Sequence, residues 1–366
     1  MPEIWVGRVS ELMSNQTQDL ADRSPWIRPG KAALVLAPME GVTDAPMREF
    51  MGSRGAFTHL VSEFFRISQD VPGVRTFQEH LPELTQGRGG RVSNGIPVTL
   101  QLLGGDPEKL ALAARRGVEA GALGIDLNFG CPAPTVNRND GGATLLKYPE
   151  RIEGIVRAVR DSVPAHIPVS AKLRLGFDRM ESIDENAERA VRGGAAWITI
   201  HGRTKVQGYQ PPAYWGPIGR VRKALEGSGT PVVANGEIFT REDFLRCREE
   251  TGCEHFMIGR GALADPGLAF EIAGELGLLT ADPGPNYRGG DLLSWHQVLS
   301  SFCETGRPFI DRKFYLVQRV KQWLRYAWVR GNAPWFDTVK RLESEQQILD
   351  WLKSAIESGS SASQAQ

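Results

Sequence analysis

Residues 124–142 read GIDLNFGCPAPTVNRNDGG, a stretch that joins a strand-like apolar run to a constrained polar loop. The apolar run ends at Asn128, and Cys131 follows it between a glycine and a proline. Glycine permits unusual backbone angles and proline restricts the residue before it, so the thiol can be held rigidly. The question this stretch raises is what fold presents such a loop, and for what chemistry.

Seven other short apolar runs recur along the chain, mostly separated by segments of helical character. In chain order the eight runs are ALVLAPMEG (33–41), THLVSEF (58–64), PVTLQLLG (97–104), GIDLNFG (124–130), PVSAKLRLG (168–176), WITIHGRT (197–204), PVVANGEI (231–238) and HFMIGRG (255–261). Strands that alternate with helices predict parallel βαβ units, and eight such units that close on themselves predict a (β/α)8 TIM barrel, an α/β fold. The alternative is an open doubly wound sheet, which would normally show GxGxxG after an early strand; the chain has no such motif.

The pattern changes after residue 285, where the remaining segments show helical periodicity and no strand candidates. We therefore predict a catalytic barrel over residues 31–285 and a C-terminal helical domain over residues 286–356. Residues 1–30 are predicted to form a polar N-terminal extension, and residues 357–366 a disordered tail. The connection between the second and third runs is unusually long and is predicted to carry inserted structure.

Composition limits the classes of partner. The 366 residues include 43 basic and 43 acidic side chains, so a polyanionic partner must be met by a local basic patch. The four cysteines form no CxxC pair and lack a His–x–His partner set, so we expect no metal. The N-terminus has no apolar signal region and no segment approaches a membrane span, so we expect a cytoplasmic protein with no membrane partner.

Each predicted strand ends in polar residues. In a barrel all carboxyl ends of the strands open on one face, so these side chains are predicted to converge on one active-site mouth. They are Glu40, Glu63, Gln101, Asn128, Lys172, His201, Asn235, Glu237 and Arg260. The turns after the seventh and eighth runs contain Gly236, Gly259 and Gly261 beside Arg260, which is typical of loops that bind phosphate. The alternative is that they are only tight turns with a surface arginine.

Three side chains at this mouth allow more than one interpretation. Lys172 lies inside an apolar strand, so it is predicted to contact a ring carbonyl or an anionic cofactor, or to form a Schiff base. His201 is either a ligand contact or a core histidine with its hydrogen bonds satisfied. Cys131 is either an inert thiol or a general acid, because an ordinary thiol is mostly protonated at neutral pH.

The chain resembles the flavin-dependent tRNA-dihydrouridine synthases over about residues 31–350. The motifs APMEGVTD, LNFGCPAPTVNRNDGGATLL, AKLRLG, HGRTKVQGY, ANGEI and IGRGAL match that family in order and spacing. PMEGV and RVKQWL are most similar to the C-type bacterial branch, which is associated with uridine 16 in the D-loop of tRNA. The resemblance implies that FMN and NADPH (or NADH) serve the reduction of a tRNA uridine to 5,6-dihydrouridine, with Cys131 as the catalytic proton donor.

The resemblance also implies which residues bind the cofactor and the substrate. The residues that would hold FMN are Pro38, Met39, Glu40, Gln101, Lys172, His201, Asn235, Gly236, Glu237, Gly259 and Arg260. On the barrel, Arg66 and Asn128 match positions used against tRNA, and Tyr209 is a candidate for stacking or backbone contact.

Charge in the third segment points to further contacts with tRNA. Residues 307–330 carry seven basic residues against one acid, and Arg312, Arg319 and Lys321 are the predicted phosphate contacts. They border an apolar helical stripe formed by Leu316, Val317, Val320, Trp323, Leu324 and Ala327. The alternative is that their aliphatic stems cover the edge of the core. The protein is expected to act as a monomer.

Three other functions compete with this interpretation. An FMN-dependent small-molecule dehydrogenase or reductase on the same barrel would explain the flavin residues but not the basic helical segment. An aldolase would use Lys172 as a Schiff base. A noncatalytic RNA-binding protein would leave Cys131 and the polar mouth unexplained.

Overall fold

Eight parallel strands form a closed barrel in which each strand pairs with its neighbours in chain order and β8 pairs with β1. The protein's structure is a computed structural model that describes residues 26–85, 87–133, 140–279, 291–309 and 314–359. The strands are β1 (Ala33–Leu36), β2 (His59–Arg66), β3 (Val98–Leu103), β4 (Ile125–Asn128), β5 (Val169–Arg174), β6 (Ile198–His201), β7 (Val232–Asn235) and β8 (His255–Ile258). Each predicted run contains or overlaps one strand, so the predicted TIM barrel is confirmed.

A helix follows every strand and packs outside the barrel. The helices are α1 (Ala45–Ser53), α2 (Val74–His80), α3 (Pro107–Ala120), α4 (Pro149–Ser162), α5 (Ser182–Arg192), α6 (Gly216–Ala224), α7 (Arg241–Thr251), α8 (Arg260–Ala264), α9 (Leu268–Glu275), α10 (Leu292–Gly306), α11 (Tyr315–Val329), α12 (Phe336–Val339) and α13 (Glu345–Glu357). Short 3-10 helices cover Pro82–Leu84, Gly142–Lys147, Glu226–Ser228 and Arg307–Phe309. Every residue of β1, β3, β6, β7 and β8 is buried, since both faces of the sheet are covered.

Local sequence signals explain where the helices begin and end. Asp106 caps α3 by accepting hydrogen bonds from the backbone N–H groups of Glu108 and Lys109, and Pro107 occupies the first helical position. The same helix ends at Gly121, whose φ of 115° lies in the left-handed region. A Cβ at Gly121 would lie 2.2 Å from the carbonyl oxygen of Leu84, so only glycine fits this end of the helix.

The long connection between β2 and β3 carries the structure predicted for it. It contains α2, the 3-10 helix Pro82–Leu84 and an antiparallel bridge between Arg91 and Pro97. Among the described residues, no helix is long and apolar enough to cross a membrane.

The C-terminal helices pack onto the barrel through a cluster of aromatic rings. Phe50 of α1, Phe302 of α10 and Trp323 of α11 contact one another edge-on, with ring centroids 5.5–5.6 Å apart. The indole N–H of Trp323 donates to the carbonyl oxygen of Leu263 in α8 over 2.8 Å. All six residues of the predicted apolar stripe on α11 are buried, which confirms that the stripe faces the core.

The domain boundaries stay predictions. The boundary between residues 285 and 286 falls outside the described residues, as do residues 1–25 of the extension and residues 360–366 of the tail.

Two histidines lie buried at the amino-terminal end of the barrel, opposite the mouth. His59 packs between Trp26 and Trp197, with ring centroids 5.9 and 6.0 Å away, and neither of its ring nitrogens has a hydrogen-bond partner among the described residues. Burial, together with the neighbouring His255, lowers the pKa of His59 to about 3. Burial also lowers the pKa of His255 to about 4, so both rings are neutral at neutral pH.

We expect these two rings to make the protein sensitive to acid. Below a pH of about 6.5 the unfolded chain binds protons at these two histidines and the folded chain does not. As the pH falls below that value, each ring therefore lowers the free energy of unfolding by about 1.4 kcal/mol per pH unit. The loss continues until the pH reaches the folded pKa of each ring. Urea unfolding between pH 7 and pH 5 measures this slope.

His59→Phe removes one titrating ring, keeps the aromatic packing and should reduce the slope by the contribution of one histidine. An unchanged slope in that variant would show that His59 is not a source of the acid sensitivity.

Candidate active site

A cavity of about 480 Å³ opens at the carboxyl ends of the strands. Thirteen of the eighteen residues predicted to act in catalysis, FMN binding or tRNA binding line it: Pro38, Met39, Glu40, Asn128, Cys131, Lys172, His201, Tyr209, Asn235, Gly236, Glu237, Gly259 and Arg260. The structure therefore brings together, around one space, residues that end or follow β1 and β4 through β8.

The other predicted site residues lie elsewhere. Gln101 is fully buried beneath the wall, and Arg66 is exposed at the end of β2. Lys321 is half-buried on α11. Arg319, on the same helix, donates a hydrogen bond to the Asp44 carboxylate of the barrel. Arg312 lies outside the described residues. The contacts that these five side chains are predicted to make stay predictions.

A chain of buried hydrogen bonds supports the start of the Cys131 loop. The Asp126 carboxylate accepts from Ser170 Oγ over 2.6 Å and from Gln101 Nε2 over 2.7 Å. Gln101 Oε1 accepts from Asn128 Nδ2 over 2.9 Å, and Asn128 Oδ1 accepts from the backbone N–H of Gly130 over 2.9 Å. Each partner fixes the orientation of the next, so the Asn128 amide and the backbone before Cys131 have one defined position.

Arg174 holds the same loop from the opposite side. Its Nε donates to the carbonyl oxygen of Gly130 over 2.7 Å, and its Nη1 donates to the carbonyl oxygens of Thr204 and Gly208 over 3.1 and 2.9 Å. Its guanidinium also lies 5.3 Å from the centre of the Tyr209 ring. One buried side chain thus ties the loop after β4 to the loop after β6.

Cys131 is half-buried in the cavity wall, whereas the other three cysteines are buried. No disulfide joins any of the four, all of which the structure describes. Burial raises the pKa of the Cys131 thiol above its ordinary value. The group is therefore protonated at neutral pH and can serve as a proton donor.

The centre of the cavity carries a desolvated ammonium group. Lys172 Nζ lies 3.1 Å from Asn235 Oδ1, and the Asn235 amide donates to the carbonyl oxygen of Met257 over 2.8 Å. Burial and the nearby Arg174 lower the pKa of Lys172 to about 8. His201 is buried among cations, and burial followed by Arg174 lowers its pKa well below the usual value, so its ring is neutral.

The end of the cavity formed by β7 and β8 is rich in guanidinium groups. Arg203 is fully buried and pairs with Glu237, and Arg330 Nη2 lies 3.3 Å from Glu237 Oε1. Arg260 lies over the Tyr209 ring at 4.7 Å. Burial and the neighbouring Arg260 lower the pKa of Arg203 to about 10. Two of these three cations pair with the one carboxylate, Glu237, so this end has a net positive charge that suits an anion.

Backbone shape at this end also requires a small residue. Gly236 has a φ of 114°, in the left-handed region that side chains rarely adopt. A Cβ there would lie 2.7 Å from Cδ2 of His201. A larger residue would therefore displace the His201 ring from the cavity wall.

Sequence reasoning missed four of the residues that build this site: Arg174, Arg203, Phe239 and Tyr326. Arg174 follows Lys172 by two positions on β5, and the two-residue period of a strand places both on one side. Arg203 follows His201 by the same interval. No signal in the sequence connects Tyr326, on α11, with the barrel mouth. Among the described residues, no group of three or more His, Cys, Asp or Glu side chains could hold a metal ion.

Comparison with known proteins gives a consistent family. Residues 35–358 match the family model described as dihydrouridine synthase (Dus). A tRNA-dihydrouridine(16) synthase of Shewanella oneidensis is 43% identical over 310 residues, which cover 84% of this chain and 92% of that protein. Proteins of the same name from Cupriavidus necator and Ralstonia nicotianae are 45% and 40% identical over 320 and 328 residues. Those matches cover 86% and 88% of this chain, and 94% and 96% of the two proteins.

We expect one thiol of the native protein to react readily with a disulfide reagent, because Cys131 alone among the four cysteines is half-exposed. An ordinary thiol has a pKa of about 8.5, and burial raises the pKa of Cys131 above its ordinary value. Because the thiolate is the reactive form, the reaction rate should still increase above a pH of about 8.5. Cys131→Ser should remove the fast phase. A fast phase that persists in this variant would assign the accessible thiol to another residue.

Proposed function

Because the chain belongs to the dihydrouridine synthase family, whose members reduce uridine to dihydrouridine, we propose that it reduces uridine 16 in the D-loop of tRNA. FMN is the proposed bound cofactor, and NADPH or NADH the proposed reductant. The observation that carries this proposal is the shared cavity, in which a protonated thiol, a desolvated lysine and a cluster of guanidinium groups converge. A cytoplasmic location and a monomeric state remain predictions.

The residues present fit FMN. Arg203 is fully buried, and its Nε and Nη1 have no hydrogen-bond partner among the described residues, as a phosphate site requires. Arg260 adds charge at the same end, and Gly236 allows close approach of the backbone. Lys172 supplies a cation suited to the polar edge of a flavin ring. The proposed ring contacts also include Pro38–Glu40 and His201, with Gln101 acting from beneath the wall.

When bound, FMN would supply the hydride that saturates the C5–C6 bond of the uracil. We assign the matching proton to Cys131, whose sulfur–hydrogen bond breaks as a carbon–hydrogen bond forms at C5; solvent then restores the thiol. Asn128 offers amide groups to the polar edge of the base, in an orientation fixed by Gln101 and Gly130. Arg174 keeps the loop that carries the Cys131 thiol in place, because it donates a hydrogen bond to the carbonyl oxygen of Gly130.

Access to the mouth requires the uridine to leave its stack, which costs a few kcal/mol and needs a firm grip on the surrounding RNA. We propose that residues 286–356 provide part of this grip, through Lys321 and Arg325 on the outer side of α11. Arg325 is exposed and Lys321 is half-exposed, so both can reach phosphate groups. Tyr209, exposed at the rim, and Arg66 are the proposed contacts on the barrel.

Cys131→Ala should abolish dihydrouridine formation, by about a hundredfold or more, because it removes the proton donor. Binding of FMN, read from the flavin absorbance, and binding of tRNA should be retained, because the loop is held by Asn128 and Arg174. Undiminished product from this variant would remove the assigned role of Cys131.

The position of the target uridine is tested by mapping dihydrouridine across total tRNA from cells that lack the protein. We expect the modification to disappear at position 16 and to return with the wild-type gene. Loss at another position would move the target but keep the reaction. Unchanged tRNA, together with flavin-dependent reduction of small molecules, would favour the dehydrogenase instead.

A further inference from the structure

Helix α11 presents three different faces. At 3.6 residues per turn, successive residues are about 100° apart, so Arg319, Gln322, Tyr326 and Arg330 fall within about 80° of one another. The apolar stripe adjoins this set and is buried. Lys321 and Arg325 lie on the far side. The face that carries Arg319 therefore differs from the face available to RNA.

The amino-terminal half of this face grips the turn between β1 and α1. Arg319 pairs with the Asp44 carboxylate and donates to the carbonyl oxygen of Gly41. Gln322 Nε2 donates to the same Gly41 oxygen over 3.0 Å, and the Tyr315 hydroxyl donates to Asp44. The Arg319 side chain is 15% exposed, and its charge is engaged within the protein. This turn directly follows Pro38–Glu40, the segment proposed to contact the flavin ring.

The carboxyl-terminal end of the face reaches the turn after β7. Arg330 Nη2 lies 3.3 Å from Glu237 Oε1, and its guanidinium stacks 3.4 Å from the centre of the Phe239 ring. Tyr326, one helical turn earlier, lines the cavity itself. This turn contains Asn235–Glu237, the segment proposed to lie at the flavin phosphate.

The part of α11 between the Arg319 contacts and the Arg330 contacts is packed firmly against the barrel. Trp323 is 1% exposed and hydrogen-bonds to Leu263 in α8, the helix that begins at Arg260. Arg319 and Arg330 are eleven positions apart, which corresponds to about 16 Å at a rise of 1.5 Å per residue. A rigid element of this length joins the two ends of the proposed cofactor site across β8.

We propose that α11 is a strap that retains FMN, with Arg319 holding the turn near the ring and Arg330 holding the turn near the phosphate. The inference rests on the proposed function, because it requires that FMN binds in this cavity. The helical segment then completes the cofactor site with one face and binds tRNA with another. Arg319 acts through Gly41 and Asp44, so it is a positioning residue and not a phosphate contact.

Apoprotein of the full chain, titrated with FMN and followed by flavin fluorescence, tests the strap. We expect Arg319→Gln and Arg330→Gln each to raise the FMN dissociation constant about tenfold, since each loses a charged hydrogen bond that orders a turn. With FMN at saturation, the salt dependence of tRNA binding should match that of the wild type in both variants.

Lys321→Gln and Arg325→Gln are matched controls on the same helix. They should leave the FMN dissociation constant unchanged, weaken tRNA binding and reduce its salt slope by about 0.7–0.9 for each lost phosphate contact. An equal loss of FMN affinity in these controls would point to a general loosening of the helix and overturn the strap.

Asp44→Asn tests the same contact from the barrel side and keeps an acceptor at the start of α1. Its effect on FMN affinity should be non-additive with that of Arg319→Gln, because both remove one ion pair. Additive effects, or unchanged FMN affinity in Arg319→Gln and Arg330→Gln, would overturn the strap alone. Failure of the wild type to bind FMN would instead overturn the proposed function.

Discussion

Closure of the parallel sheet is the constraint on which the rest of this protein depends. Because every strand runs in the same direction, the residues that end the strands meet on one face, although more than 200 positions separate Glu40 from Arg260. Burial on both sides of the sheet makes charged groups inside it costly unless they are paired. Lys172 meets that requirement through Asn235 at the end of β7, and Arg174 through the loop after β4. The fold therefore concentrates desolvated cations where an anionic ligand can bind.

Much of this organisation could be predicted from the sequence, because it depends on local periodicity. The eight apolar runs predicted the barrel, and the polar residues and turns that end them predicted most of the cavity wall, whereas Pro38, Met39 and Tyr209 followed only from the family resemblance. Arg174 carried a usable signal, its two-residue spacing from Lys172. The contact between Arg319 and Asp44 carried none: 275 positions separate the two, and charge alone indicated a surface contact. Periodicity identified the buried face of α11 but could not show which groups lie beside it.

The loop that carries Cys131 illustrates how buried polar groups contribute to a site without lining its cavity. Asp126 is 2% exposed and does not reach the cavity, yet it orients Gln101, which orients Asn128. Leaving one member of such a chain without its partner costs about 1–3 kcal/mol, so the chain favours a single arrangement. Arg174 restrains the other side of the same loop. Precision at Cys131 thus comes from residues that no substrate needs to touch.

The aromatic contact between Phe50, Phe302 and Trp323 has a consequence for protein engineering. Since these rings join the helical segment to the barrel through one continuous core, that segment is not an exchangeable module. A chimera that imports another protein's C-terminal helices would replace part of the barrel's own hydrophobic interior. Redirecting the molecule to a different RNA is better attempted by redesigning the solvent-facing side of α11, leaving its two inward sides intact.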